Sequence, residues 1–296
     1  MVHRNKSSQV ALSAIKRAID SPEPAYIGRI PGGLSLQAMY AYINGSLFSE
    51  QQSAEIRALA GFYAPESSYH KDLYAYAKLE LDAPRKATVC LRNDVDPSTP
   101  QVADLLENLV DGFVDTVHVW SSCNTGDWLP FLEGKKVLVV STFKDTILNQ
   151  WPKRHLLHTK SGIEFPEFEL RVVKSPLTVT GCEPFEHESW HAAFEFLCAE
   201  VDAVDFDYDI ALLSCGAYAQ PLGGYLLNRG KTSWIVGGIL QTIFGIRGHR
   251  WSRLDSNVRR TYNEHWVAPS PEESPKILDS EHRPPWDTFW EIPDTH

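Results

Sequence analysis

The chain has no apolar run near the roughly 18 residues that a membrane-spanning helix requires. Its N-terminus carries early positive charge but no apolar segment behind it, so no secretory leader is expected. A basic excess is also missing: 28 Lys and Arg stand against 38 Asp and Glu, a formal net charge of -10. General nucleic-acid binders usually show the opposite balance, so nucleic acid is not an expected partner. Closely spaced cysteines are absent. Cys90, Cys123, Cys182, Cys198 and Cys215 are odd in number and far apart, which argues against a zinc or redox motif and for free thiols in a reducing cytoplasm. With 18 Gly and 19 Pro in 296 residues, the chain is neither collagen-like nor a low-complexity linker. No G-x-S-x-G surrounds Ser141 or Ser214, so a serine hydrolase is not supported.

What remains is a globular composition, 43% hydrophobic and 22% charged, with a high count of tryptophans that packing explains best. Helices are expected at residues 7–20, 34–43, 68–82, 99–110, 142–150 and 190–203, from apolar spacing near 3.6, with one more entered from the 215–224 loop and ending near Asn228 and another starting near Gly238. Strands are expected at 26–30, 86–92, 116–120, 136–141, 168–173, 209–214 and 232–236, from β-branched and apolar runs. KVLVVS and DIALLS are continuous apolar runs, as in strands buried on both faces of a parallel sheet. The alternation of strands and helices predicts an α/β fold, a mainly parallel sheet with helices on both faces, Rossmann-like in type. Residues 1–252 read as one α/β domain with two subdomains meeting near 130–180. Residues 253–296 read as an irregular wrapping tail.

Ligands of open α/β sheets bind beyond the carboxyl ends of the strands. Two small-residue turns fall there: GRIPGG at 28–33 and CGAYAQPLGG at 215–224. Small residues let a backbone approach an anion, and a helix N-terminus behind them adds N–H donors. Neither segment is a P-loop or G-x-G-x-x-G, so a phosphate cradle and a plain tight turn are both open readings. A third segment, Gly237 to Trp251, adds Arg247, His249 and Arg250, and arginine binds phosphate bidentately. Asp94 and Asp96 form a D-x-D after a strand, a pattern that fits a divalent ion or an ordinary turn. Asp202, Asp205, Asp207 and Asp209 read as a solvated loop. His187 and His191 lack a third ligand.

The stretches DIALLSCGAYAQPLGGYLLNRGK, WIVGGILQTIFGIRGHRW and NEHWVAP resemble bacterial surface-polysaccharide proteins related to GT-D type glycosyltransferase-like domains. IGRIPGG, FLEGKKVLVVSTF and the segment from Gln150 to Arg154 extend the resemblance along most of the chain. It implies a GT-D-like fold and sugar transfer from a nucleotide-sugar donor to a glycan or lipid-linked glycan acceptor. It also implies Mn2+ or Mg2+ held by an acidic D-x-E or lone Glu after the first strand. Here no Asp or Glu occurs from Gly28 to Asn44, and Ser35 stands at the acid's place. Three routes follow. Arg29, Arg247 and Arg250 neutralise the diphosphate; carboxylates such as Asp94 and Asp96 hold the metal; or catalysis is lost and binding kept.

The resulting assignment makes Arg29, Arg247 and Glu264 catalytic, with Glu264 or one of the Asp94/Asp96 pair as base. Gly28, Ser35, Gly216, Ala217, Tyr218, Pro221, Leu222, Gly237, Gly238, Gln241, Arg250 and Trp251 are the ligand-binding set. The alternative is a non-catalytic nucleotide- or glycan-binding scaffold of a polysaccharide assembly system.

Overall fold

The computed structural model describes residues 8–29, 39–92, 113–115, 126–178, 186–248 and 256–274. Among the described residues seven strands form one sheet. In chain order the elements begin with α1 (Ser8–Ile19), β1 (Tyr26–Arg29), α2 (Glu50–Glu55), α3 (Tyr69–Asp82), β2 (Val89–Arg92) and β3 (Phe113–Asp115). Then come β4 (Lys136–Ser141), α4 (Lys144–Gln150), β5 (Glu169–Lys174), α5 (Trp190–Asp202), β6 (Ile210–Ser214), α6 (Ala219–Asn228), β7 (Ser233–Ile235), α7 (Leu240–Ile243) and α8 (Ser256–Thr261). The sheet order is β3-β2-β1-β7-β6-β4-β5, and every pairing is parallel.

The apolar runs explain this architecture. In β4, Leu138 and Val140 enter the first core layer while Val137 and Val139 enter the second. β6 divides the same way, with Ile210 and Leu212 opposite Ala211 and Leu213. A strand with both faces buried has no polar side, so its sequence reads as an unbroken apolar run. The first layer is covered by α3, α5 and α6, through residues such as Leu73, Leu197 and Leu222. The second is covered by α1, α4, α7 and α8, through Ile15, Ile147, Ile243 and Val258. Helices therefore lie on both faces. Trp128, Trp190, Trp234 and Trp266 are buried, as packing predicts.

Two helices carried too little periodicity to be expected. α2 is a short polar run held by a capping box: Ser49 Oγ accepts from the Gln52 amide, and Gln52 Oε1 accepts from the Ser49 amide. α8 offers one buried apolar residue, Val258. Residues 130–180 supply β4 and β5 to the common sheet. The described part of the tail, 256–274, is packed rather than loose, with Val258, Trp266 and Glu273 buried. The expected helix at 99–110 and strand at 116–120 lie outside the described residues, as does most of the helix expected at 34–43. β3 ends just before the latter strand, at Asp115. Among the described residues no helix is long and apolar enough to cross a membrane.

Candidate functional site

The neighbouring strands β6 and β4 lead into helices on opposite faces of the sheet. After β6 the chain turns through Cys215 and Gly216 into α6 on the first face. After β4 it turns into α4 on the second. β4 and β6 are neighbours, with Ser141 opposite Ser214 at their carboxyl ends. From there β4 leads outward to β5 while β6 leads the other way to β7. Adjacent strands whose connections diverge make a topological switch point, where open α/β sheets bind ligands. Lys174 ends β5 in the same row, opposite Ser141, and is exposed.

One charge is delivered to this edge from β1. Arg29 ends β1, and β1 pairs with β7. Just past β7, Gly237 adopts φ +72°, a conformation that side chains disfavour. A Cβ at Gly237 would lie 2.7 Å from Arg29 Nη1. The guanidinium therefore rests directly on the bare backbone of the turn after β7. The glycine is required twice, by its dihedral and by the arginine over it.

A second convergence involves segments far apart in sequence. Ile246 bridges Val267, and the Arg247 amide donates to Val267 O at 2.7 Å. Gln150 Nε2 donates to His265 O at 2.8 Å. Asn263 Nδ2 donates to Leu156 O at 2.9 Å, and Trp266 Nε1 to Leu157 O at 2.7 Å. Gly245, at φ +64°, leaves no room for a Cβ, which would meet Leu157 Cδ2 at 2.8 Å. Asn263 and Trp266 thus tie the NEHWVAP segment inward. Glu264 between them faces solvent, its side chain 79% exposed and 3.6 Å from His265 Nε2.

The residues expected at the site divide by orientation. Gly216 is exposed, and Gly237, Gly238 and Arg247 are half-buried, like Arg29. Ala217, Tyr218, Pro221, Leu222 and Gln241 are buried. Tyr218 stacks on Trp190 with centroids 5.4 Å apart, and its hydroxyl lies 3.2 Å from Thr178 Oγ1. Burial pushes its phenol pKa upward. Gln241 Nε2 reaches Ile246 O at 3.4 Å and so braces the turn that presents Arg247. Gly28 lies inside β1, where a Cβ would meet Tyr26 Cζ at 3.0 Å and Ala87 Cβ at 3.1 Å. Ser35, Asp94, Asp96, Arg250 and Trp251 lie outside the described residues.

The N-terminus of α4 is filled from within the chain. Glu273 is 1% exposed. Its carboxylate accepts from the Asp145 amide at 2.6 Å, from the Thr146 amide at 3.1 Å and from the Thr146 hydroxyl. A carboxylate suits the positive end of a helix. Nothing in the sequence pairs positions 127 residues apart, so this contact was invisible there. Other acids are also committed. Asp202 pairs with Arg229 and Asp207 with Lys231, while Asp209 Oδ2 accepts the Lys136 amide at 2.7 Å. His191 Nε2 lies 3.1 Å from Asp72 O. Among the described residues no group of three His, Cys, Asp or Glu side chains is placed to hold a metal.

Comparison with protein-family models, with curated proteins and with solved structures finds no match to this chain. The α/β, Rossmann-like architecture rests on the parallel sheet and on the helices packed on both its faces.

Proposed function

We propose that the carboxyl edge of the sheet binds the diphosphate of a nucleotide-sugar donor, and that the protein transfers the sugar to a glycan acceptor. The observation that carries this reading is Arg29 resting on the Gly237 turn, a cation held against half-buried backbone at the end of two central parallel strands. A leaving diphosphate gains negative charge as the glycosidic bond breaks, and preorganised cations stabilise it most effectively. Arg29 serves that role at β1. Arg247 is presented from the turn that Gln241 and Val267 brace. Glu264 sits three residues before Val267, in the segment bridged to Arg247. Its solvent-facing carboxylate fits a base that meets an acceptor hydroxyl arriving from outside.

The Ser35 departure supports arginine neutralisation over metal-dependent transfer, and it is also the observation that favours the binding-only alternative. A thermal-shift panel of UDP, GDP, ADP and their sugar conjugates, with and without Mn2+, tests the reading. Binding to the native state stabilises by RT ln(1 + [L]/Kd). A metal-independent shift with one nucleotide supports it, and a flat panel rejects it. Sugar transfer in the presence of a glycan acceptor then separates the enzyme from the scaffold.

A further inference from the structure

One transverse row of the sheet carries a cation at each end. Ile27 pairs with Trp234, Trp234 with Leu212, Leu212 with Val139, and Val139 with Val172. Two residues further along each strand the row reads Arg29, Val236, Ser214, Ser141 and Lys174, across β1, β7, β6, β4 and β5. The pairings of Ser141 with Ser214 and with Lys174 belong to it directly. Side chains alternate along a strand, so residues two apart share a face. Ile27, Trp234, Leu212, Val139 and Val172 all lie in the second core layer, and Val236 joins them. The edge row therefore lies on that side of the sheet, at its carboxyl end.

Two members of the row are closed. Val236 is buried in the core, and Ser141 is 1% exposed. Ser141 Oγ accepts the Phe143 amide at 3.3 Å and so braces the turn into α4. Ser214 and Lys174 are open. Ser214 is half-buried, and its hydroxyl makes no hydrogen bond among the described residues. Lys174 is exposed, and among the described residues no carboxylate pairs with it. Glu273, the buried carboxylate at the start of α4, is already engaged by Asp145 and Thr146.

The spacing of the two cations selects a ligand. Arg29 rests over Gly237, just past β7. Three strand spacings, about 14 Å in all, lie between β7 and the strand of Lys174. A charge-assisted hydrogen bond takes up about 2.8 Å at either end, which leaves roughly 8 Å between the oxygens of two bound anions. One sugar ring fills that gap.

We infer that the sugar carried by the donor is a uronic acid. Arg29 takes the diphosphate, Ser214 meets the ring hydroxyls, and Lys174 takes the C6 carboxylate. The inference rests on the donor-binding reading and deepens it. A neutral hexose would leave the Lys174 ammonium with no charge to meet, whereas a lysine point charge suits a single carboxylate.

Calorimetric titration of the full chain with matched sugar 1-phosphates tests this. Glucuronic, galacturonic and mannuronic acid 1-phosphates are compared with glucose, galactose and mannose 1-phosphates, each pair differing only at C6. These ligands carry no base, so base selectivity does not enter. At least one uronate is expected to bind about fivefold more tightly than its neutral counterpart, the upper end for a solvent-exposed ion pair. The preference is expected to fade in high salt, to disappear in Lys174→Met and to persist in Lys174→Arg, with folding of both variants confirmed by circular dichroism. Equal binding within every pair, or a preference that survives Lys174→Met, overturns the proposal. Free glucuronate binding to the pyrophosphate-saturated chain, with no uronate 1-phosphate preferred, overturns it as well, because the carboxylate then belongs to the acceptor. Pyrophosphate titrated alongside separates the two readings. If it binds while no pair is discriminated, only the uronic-acid proposal fails. If neither pyrophosphate nor any sugar phosphate binds, the donor reading fails and this proposal with it.

Discussion

Arg29 Nη1 occupies the space that a side chain at Gly237 would need, 2.7 Å from where its Cβ would stand. The last residue of β1 and the first turn after β7 therefore form one unit, although they lie 208 positions apart in the chain. Gly237→Ala must strain a φ of +72° and displace the arginine together. A loss of about 1–3 kcal/mol in stability is expected from the backbone alone. Denaturant unfolding checks it, and weaker pyrophosphate binding by the folded variant checks the displacement.

Tyr26 lies across the same strand from the other side. A Cβ at Gly223 would fall 2.2 Å from its Cε2, and one at Gly28 would meet its Cζ at 3.0 Å. The ring is thus clasped between two glycines while its hydroxyl reaches Gln220. Gly223→Ala should overpack this clasp and cost about 1–3 kcal/mol. Because the clash is with Tyr26, the penalty should shrink when Tyr26→Ala is added, and a double-mutant cycle reads that coupling. Additive losses would show that the ring is not the obstacle.

Glu273 ties the tail to α4. Glu273→Ala removes a buried charged acceptor from two amides and a hydroxyl. Hydrogen bonds to charged groups contribute about 1.5–3 kcal/mol, and a loss at least that large is expected in equilibrium unfolding. Glu273→Gln keeps one acceptor oxygen and should lose less.

His158 sets an acid-side prediction. Its Nε2 donates to Ile243 O at 2.8 Å, since a carbonyl can only accept. Burial holds the ring below its usual imidazole range, with the Ile243 contact opposing that shift. The unfolded chain therefore takes up this proton first as pH falls. Stability should rise with pH from the lowered value to about 6.5 and gain nothing from this group above it. His158→Gln should flatten that portion of the stability–pH curve by one proton.

The strands were legible because their burial is two-sided. KVLVVS and DIALLS carry no polar face, so a parallel sheet was the economical reading, and β4 and β6 occupy nearly the expected residues. α2 and the tail were not legible. The cap of α2 is a local hydrogen-bond pattern within a polar run, and the tail is ordered by Trp266 and Glu273 contacting residues more than a hundred positions away. Glycines were legible as places needing space, but not as to what fills it. At Gly28 and Gly223 the filler is Tyr26; at Gly237 it is Arg29. Sequence likewise placed Arg247 and Glu264 in separate motifs, and the pairing of residues 245–247 with Val267 brings them together.

The central claim is that Arg29 anchors a diphosphate at the sheet edge. The most direct test is calorimetric titration of inorganic pyrophosphate into the wild-type chain and into Arg29→Ala, with folding of both confirmed by circular dichroism. Loss of a charge-assisted contact of about 1.5–3 kcal/mol corresponds to at least tenfold weaker binding in the variant. Equal affinity in the two proteins, or no binding by the wild-type chain, would contradict the account.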